Sequence, residues 1–412
     1  NEENRKIKPF DFPEEKFEIL GVNNKTGLFD AYIEDGNKIN QPYKIVENGF
    51  LAYNPYRINV GSIGLKTKEQ KYKYISPAYV VFSCKRDLLP EFLYILFRTD
   101  KFNELIRENT TGSVRQTLSF SSMEQIQIPL PTLEKQKEIV DRYNAKIKLA
   151  EEQEKEAQNL EQEIDEKFCF MLGIKTNIHN INLEKQTKGL RLIHFKDTCR
   201  WDYFYFNEGF ALIDKCLSEI KFDCVIFETI IKQLINGIDS RNYIKTGIPY
   251  LRVANIKPDR IYLDDLKYID DTGKNKKGKV KKGELLITRK GTYGNAVVVD
   301  QEMEDRQCVI SSEVFKISLK NDKYQINPHF LSYYINSRIS KIQMERVKTR
   351  GIMGSLSQDA LNSLKIAIPY IGIQNEIVDT ITKIKAKIEK LNNLAEQNRQ
   401  LAQEEFEKEL FE

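Results

Sequence analysis

A chain of 412 residues, 41% hydrophobic and 30% charged, is long enough for two or three domains that each bury a core of their own. No apolar run approaches the roughly 18 residues a membrane-spanning helix needs, and no apolar stretch follows the opening NEENRK, so neither a membrane anchor nor a signal peptide is expected. The net charge is only +4, from 64 basic and 60 acidic residues, so nucleic-acid binding must be judged from where the charges sit. Six cysteines (Cys84, Cys169, Cys199, Cys216, Cys224, Cys308) form no C-x-x-C pair, and His179, His194 and His329 lie far apart. That pattern argues against a disulfide scaffold, a metal site and histidine-led catalysis, and it fits a reducing cytoplasm. No initiator Met opens the chain, which fits processing or excision from a longer polypeptide.

Along the chain, residues 1–131 read as a first α+β domain. Short β-type runs such as Ala78-Tyr-Val-Val-Phe-Ser alternate with Gly, Asn and Pro punctuation, and a helical stretch follows over 90–105. Its basic residues gather in loops: Arg57, then Lys66, Lys68, Lys71 and Lys73 interleaved with Tyr72 and Tyr74. The polar loop 110–116 (TTGSVRQ) adds Arg115 and Gln116.

Residues 132–172 are expected to form one long helix. They contain no Pro after Thr132, and apolar residues fall at Val140, Tyr143, Ile147, Ala150, Ala157, Leu160, Ile164, Phe168 and Met171. Steps of three, four and seven are the period of a coiled-coil seam, with the run EEQEKEAQNLEQEIDEK as its charged outer face. A linker (173–189) leads to a second domain over 190–369, with β-type runs at Leu285-Leu-Ile-Thr and Ala296-Val-Val-Val and a helical stretch over 328–346. Its basic loop holds Lys274, Lys276, Lys277, Lys279, Lys281 and Lys282, followed by Arg289, Lys290 and Tyr293. Arg252 and Asn255 lie upstream of it, and the loop 349–354 (TRGIMG) carries Arg350. A second long helix over 370–412 places Ile377, Ile381, Ile384, Ile388, Leu391, Ala395, Ala402, Phe406 and Leu410 on one stripe. Each helix would be about 57 Å long.

An internal repeat organises the whole. A constant shift of 238 positions carries Pro90 onto Pro328, Phe92-Leu93 onto Phe330-Leu331, and Leu118 onto Leu356. It also carries Ile128 onto Ile366, Pro131 onto Pro369, Gln136 onto Gln374, and Ile139-Val140 onto Ile377-Val378. Upstream, with small gaps, Gly49-Phe-Leu parallels Gly283-Glu-Leu and Ile75-Ser76 parallels Ile310-Ser311. Leu20-Gly-Val-Asn-Asn likewise parallels Leu251-Arg-Val-Ala-Asn. Residues 190–236, with Trp201-Asp202-Tyr203, have no counterpart before residue 1, so the first domain is shorter or lacks its front. Two copies of one helix imply antiparallel pairing about a pseudo-twofold axis. The expected seam is Tyr143, Ile147, Ala150, Ala157 and Ile164 against Ile381, Ile384, Ile388, Leu391 and Ala395. Packing of each helix on its own domain, and pairing between molecules, are the alternatives.

The basic loops, at corresponding places in two repeats, suit phosphate neutralisation, with aromatic and amide side chains near bases. Arg57, Arg115, Gln116, Arg252, Asn255 and Arg350 are candidates for base-edge or phosphate bonds. Catalytic near-matches fail. Gly273-Lys-Asn-Lys-Lys-Gly278-Lys279 is followed by Val280 where a phosphate-binding loop needs Ser or Thr. Tyr53-Asn54-Pro55-Tyr56 lacks one Pro of the amino-methyltransferase motif. Asp259, Asp265 and Lys267 have the letters of a nuclease metal site at too short a spacing.

The segments 247–256 (GIPYLRVANI), 283–294 (GELLITRKGTYG), 126–140 (IQIPLPTLEKQKEIV) and 373–378 (IQNEIV) resemble the specificity subunit of type I restriction–modification enzymes, over nearly the whole chain. The resemblance implies two target-recognition domains that each read a half-site of double-stranded DNA, and paired helices that fix the gap between half-sites. It also implies docking of two methylase subunits and of restriction subunits. S-adenosylmethionine, ATP and Mg²⁺ would sit on those partners, with no catalytic residue, cofactor or metal in this chain. The recognition segment of a fused methylase–nuclease polypeptide, and a coiled-coil protein-interaction scaffold, are the alternatives.

Overall fold

The computed structural model describes residues 1–108, 117–175, 178, 181, 183, 203–258, 260–349 and 354–411, Lys274 by its backbone alone. Trp201, Asp202, Asp259, Arg115, Gln116 and Arg350, singled out above, lie outside the described residues. The chain divides into two units, Asn1–Glu156 with Lys390–Glu412, and Ala157–Glu389.

In the first unit, strands β1 (Lys6–Ile7), β2 (Lys16–Asn23), β3 (Gly27–Asp35), β4 (Tyr43–Ile45), β5 (Leu51–Tyr53), β6 (Ile63–Leu65), β7 (Tyr74–Ile75) and β8 (Val80–Phe82) build two sheets. Their orders are β1-β4-β7-β2-β3 and β6-β5-β8. The β2–β3 turn is set by Asn23, whose Oδ1 accepts from the amides of Lys25 (2.8 Å) and Thr26 (2.7 Å), the local bonding that makes Asn a turn residue. Helices α1 (Pro90–Leu96), α2 (Asp100–Glu108) and α3 (Phe120–Met123) follow, and then α4 (Leu133–Met171). Leu51, Tyr53 and Phe82 from the small sheet share one core with Phe92 and Phe102 from the helices.

The second unit contains α5 (Glu208–Glu219), β9 (Asp223–Ile226), β10 (Ile231–Asn236), β11 (Ile248–Leu251), β12 (Ile256–Lys257), β13 (Arg260–Ile261), β14 (Lys267–Ile269), β15 (Leu285–Thr288) and β16 (Ala296–Val298). It continues with α6 (Gln301–Asp305), β17 (Val309–Ile310), β18 (Val314–Leu319), α7 (Pro328–Asn336), α8 (Arg338–Val347), α9 (Gln358–Asn362), β19 (Lys365–Ile368) and α10 (Ile371–Phe411). Its sheets are β10-β18-β15-β16, β14-β11-β17, and the pairs β12-β13 and β19-β9.

The repeat holds strand by strand. β5 is antiparallel to β6 and β8, as β15 is to β16 and β18. β2 runs parallel to β7 and antiparallel to β3, as β11 does to β17 and β14. The turns entering β5 and β15 pass through Gly49 at φ 84° and Gly283 at φ 82°, a left-handed conformation that disfavours any Cβ. Gln136, fully buried, donates from Nε2 to the carbonyls of Asp87 (2.8 Å) and Pro131 (2.9 Å) and accepts the amide of Leu89 (2.8 Å). Gln374 does the same to Gln325 (3.0 Å), Pro369 (2.7 Å) and Asn327 (2.9 Å), each 238 positions on. An amide with two donors and an acceptor is suited to tie a helix start to two loop strands with no group left unmet.

The long helices pair antiparallel. Within the first unit, Lys135 and Arg142 meet Glu409, Lys146 meets Glu405 at 3.1 Å, and Glu154 takes a two-point contact from Arg399 (3.2 and 2.8 Å). Rising numbers on α4 thus meet falling numbers on α10. The C-terminal turns of each helix enter the core of the opposite copy. Phe406 of α10 packs on Phe92 and Tyr143 of the first unit, with ring centroids at 5.6 and 6.0 Å. Phe168 of α4 packs on Phe330 and Tyr334 of the second, at 6.0 and 5.9 Å. The two phenylalanines, and Phe92 and Phe330 against which they pack, are related by the same 238-residue shift. Ala150, Ala157, Ile381, Ile388, Leu391 and Ala395 are buried, and Tyr143, Ile147, Ile164 and Ile384 are half-buried. No helix among the described residues is long and apolar enough to cross a membrane.

Candidate nucleic-acid interface

In the first unit the basic loop joins β6 to β7. Its shape is set by Asp30 on β3, whose carboxylate accepts the amides of Lys71 and Tyr72, both at 3.1 Å. Gln70 closes the other side, its Oε1 accepting from the amide (2.9 Å) and hydroxyl (3.0 Å) of Thr67. Lys68, Lys71 and Lys73 are exposed on this frame. Lys66 is not: it is 4% exposed, its ammonium donates to the carbonyl of Gln70, and burial lowers its pKa. The expectation that Lys66 meets phosphate is therefore corrected. Lys66, the first residue after β6, is the inner strut of the loop, its ammonium held by the carbonyl of Gln70. Arg57 is exposed, beside the exposed Tyr56, where the chain turns toward β6.

In the second unit Lys276 and Lys277 are exposed on a 3-10 turn over Gly273–Gly278. Lys279 is half-buried, donating to Gln307 Oε1 (3.0 Å) and lying 3.9 Å from Asp271. Arg289, at the end of β15, is half-buried over the Phe315 ring (5.8 Å), with Nε 3.4 Å from the carbonyl of Leu356. Lys290 is exposed, 4.0 Å from Glu313. Tyr293 donates its hydroxyl to the Glu345 carboxylate under the Lys348 ammonium (5.4 Å from the ring), and burial, then Glu345, raises its pKa.

Asn255 also requires correction. It is 2% exposed, its Oδ1 accepts the amide of Arg252 (3.0 Å) and its Nδ2 donates to the carbonyl of Tyr262 (2.9 Å). Its hydrogen-bonding groups shape the turn after β11 and are not available to a base. Arg252 lies next to it, with Nη2 donating to the carbonyl (2.9 Å) and carboxylate (3.0 Å) of Asp265. Asp265 also takes Lys267 Nζ at 2.5 Å, and these two cations, Lys267 first, hold its carboxyl below the ordinary range. The acid and lysine with the letters of a nuclease site are thus tied to an arginine. Among the described residues no group of three or more His, Cys, Asp or Glu is placed to hold a metal ion.

Sequence reading passed over the loop from β10 to β11, where Arg241, Asn242, Tyr243 and Lys245 are exposed and Arg252 sits 5.9 Å over the Tyr243 ring. The signal was present as one aromatic among two cations and an amide. It lacked the lysine density that drew attention elsewhere. Exposed cations in loops and a guanidinium on an aromatic face suit contact with phosphates and bases.

The family model of the type I restriction modification DNA specificity domain matches residues 15–162 and again residues 226–398. S.HindORF215P of Haemophilus influenzae, a putative type I restriction enzyme specificity subunit, is 24% identical over 367 residues, covering 89% of this chain and 79% of that protein. A chain from a solved structure concerned with complex assembly and conformational transition of a type I R-M system aligns over 99% of this chain and 94% of its own. The TM-score is 0.56 at 16% identity, a likeness of fold.

Proposed function

The chain belongs to the DNA-specificity family of type I restriction–modification systems, with two specificity domains, and from that premise we propose that it reads a two-part DNA sequence in the cytoplasm. Each unit takes one half-site, and the antiparallel helices fix the number of unread base pairs between them. Two methylase subunits dock on the chain and carry S-adenosylmethionine, and restriction subunits carry ATP and Mg²⁺. This chain supplies recognition and no catalytic group.

The observation that supports this reading is the duplication. One scaffold occurs twice along the chain, with loops that differ between copies, and two copies of a reader suit two half-sites of unlike sequence. In the first unit Arg57, Lys68, Lys71 and Lys73 are assigned to DNA. In the second the assigned residues are Arg241, Tyr243, Arg252, Lys276, Lys277 and Lys290. The test is to map methylated bases in cells expressing the chain with its methylase partner. A two-part motif with a fixed gap is expected, and replacing residues 190–369 by another such domain should change one half alone. A single undivided motif, or a swap that changes both halves, overturns the proposal.

A further inference from the structure

Arg252 occupies a position at which the two copies differ in kind. Ile19 of β2 lies opposite Tyr74 of β7, and Tyr250 of β11 opposite Val309 of β17, so two residues further on Gly21 is the counterpart of Arg252. A Cβ at Gly21 would lie 2.7 Å from the ring of Phe29, so a side chain there would have to displace that ring. In the second unit that place belongs to a guanidinium with unusual surroundings. Nη2 donates to the carbonyl and to Oδ2 of Asp265, the guanidinium lies over Tyr243, and Nε is buried with no hydrogen-bond partner among the described residues.

Asp265 is unusual in its own right. Its φ is 53°, the left-handed region that a residue with a Cβ enters at a cost, and its side chain is 70% exposed. Ion pairs at such exposure contribute little to stability, so Lys267 and Arg252 do not explain why the strain is kept. Strain retained at an exposed charged cluster points to function.

We propose that Asp265 is a positioning residue for DNA reading, which holds Arg252 extended over Tyr243 toward a base edge and keeps Lys267 from taking any phosphate that arrives. The inference rests on the DNA-specificity reading above and extends it to one residue. With Nη2 engaged by Asp265 and Nε buried, the guanidinium presents Nη1 alone in a fixed direction, where its N–H groups can meet an acceptor on a base edge such as guanine O6 or N7. The anchoring carboxylate repels the backbone of every sequence alike. Only a duplex that returns base-edge hydrogen bonds offsets that repulsion, so the acid raises selectivity at the expense of affinity for random DNA.

The test uses the full chain assembled with its methylase partner and two duplexes, one carrying the motif methylated in cells and one with that motif scrambled. Asp265→Asn removes the charge, and Asp265→Gly removes the carboxylate while accepting the positive φ, so at least the second variant should keep the fold. Both are expected to bind the scrambled duplex about three- to tenfold more tightly, to lose tenfold or more of their preference for the motif, and to steepen the salt dependence of binding by about one ion. Unchanged preference in Asp265→Asn overturns the inference. So does equal weakening on both duplexes, which marks a structural role, and so does an effect confined to the glycine variant, which marks the loop's conformation. Absence of preference in the unaltered chain counts against the DNA-specificity reading itself and is seen before any variant is made.

Discussion

Gln136 and Gln374 make the same three hydrogen bonds in the two units, to backbone groups 238 positions apart, whereas Gly21 and Arg252, also counterparts, have nothing in common. The buried glutamines have no freedom to vary, because each bond they drop leaves a backbone group unpaired inside the fold. Gly21 lies near the end of β2 and Arg252 just past the end of β11, where a change alters what the surface offers. The same division runs through the rest. Gly49 and Gly283, Phe92 and Phe330, Phe406 and Phe168 correspond, while Pro55 occupies in the first unit the place that Arg289 takes in the second, each carbonyl accepting from the amide of the corresponding Leu118 or Leu356. A duplicated scaffold with freely diverging loops is what two independent readers require.

A second contrast lies in what is covered. Leu361, Leu364, Ile366 and Ile368 are buried in the second unit, where β19 pairs with β9 and α5 shares their core. Their counterparts Met123, Ile126 and Ile128 are half-buried, and Leu130 is 56% exposed, because among the described residues of the first unit no strand pairs with 127–130. The same apolar pattern therefore contributes to stability in one copy and much less in the other.

These comparisons can be broken by substitution. The largest effect is expected from the exchanged helix ends. Phe406→Ala should lower the stability of the first unit, and Phe168→Ala that of the second, by about 3–5 kcal/mol each. Hydrogen exchange resolved along the chain reads this directly. Unchanged exchange in the unit whose core holds the ring would overturn this assignment. Next come the unequal strands: Ile368→Ala is expected to cost about 2–3 kcal/mol in denaturant melts and Leu130→Ala within about 0.5, since one removes buried methyl groups and the other does not. Equal costs would mean that 127–130 is covered in solution. The smallest effect on stability belongs to the lysine loop. Replacing Lys68, Lys71 and Lys73 by Gln should leave melting unchanged, weaken binding to motif and scrambled duplexes alike, and lower the salt slope by about three ions. Lys66→Gln should leave that slope as it is, and a reduced slope would place Lys66 at the DNA after all.

The sequence by itself determined the repeat and the two long helices. These are written in local periodicity, since residues three, four or seven apart on a helix must share a face wherever the helix goes. It also marked Gln136 and Gln374 as counterparts, without revealing that they tie helix to loop. Side-chain direction at the loops was not legible. Lys66 turns inward and Lys68 outward within one basic run, and Asn255 is consumed by a turn that closes only when residue 262 returns to it. Asp265 meets Arg252 from thirteen residues away, and Tyr243 reaches the same guanidinium from a different loop. Those contacts were decided by the tertiary structure alone. Charge and hydrogen bonding act through space over a few ångströms, and only the packed sheets bring separate loops that close.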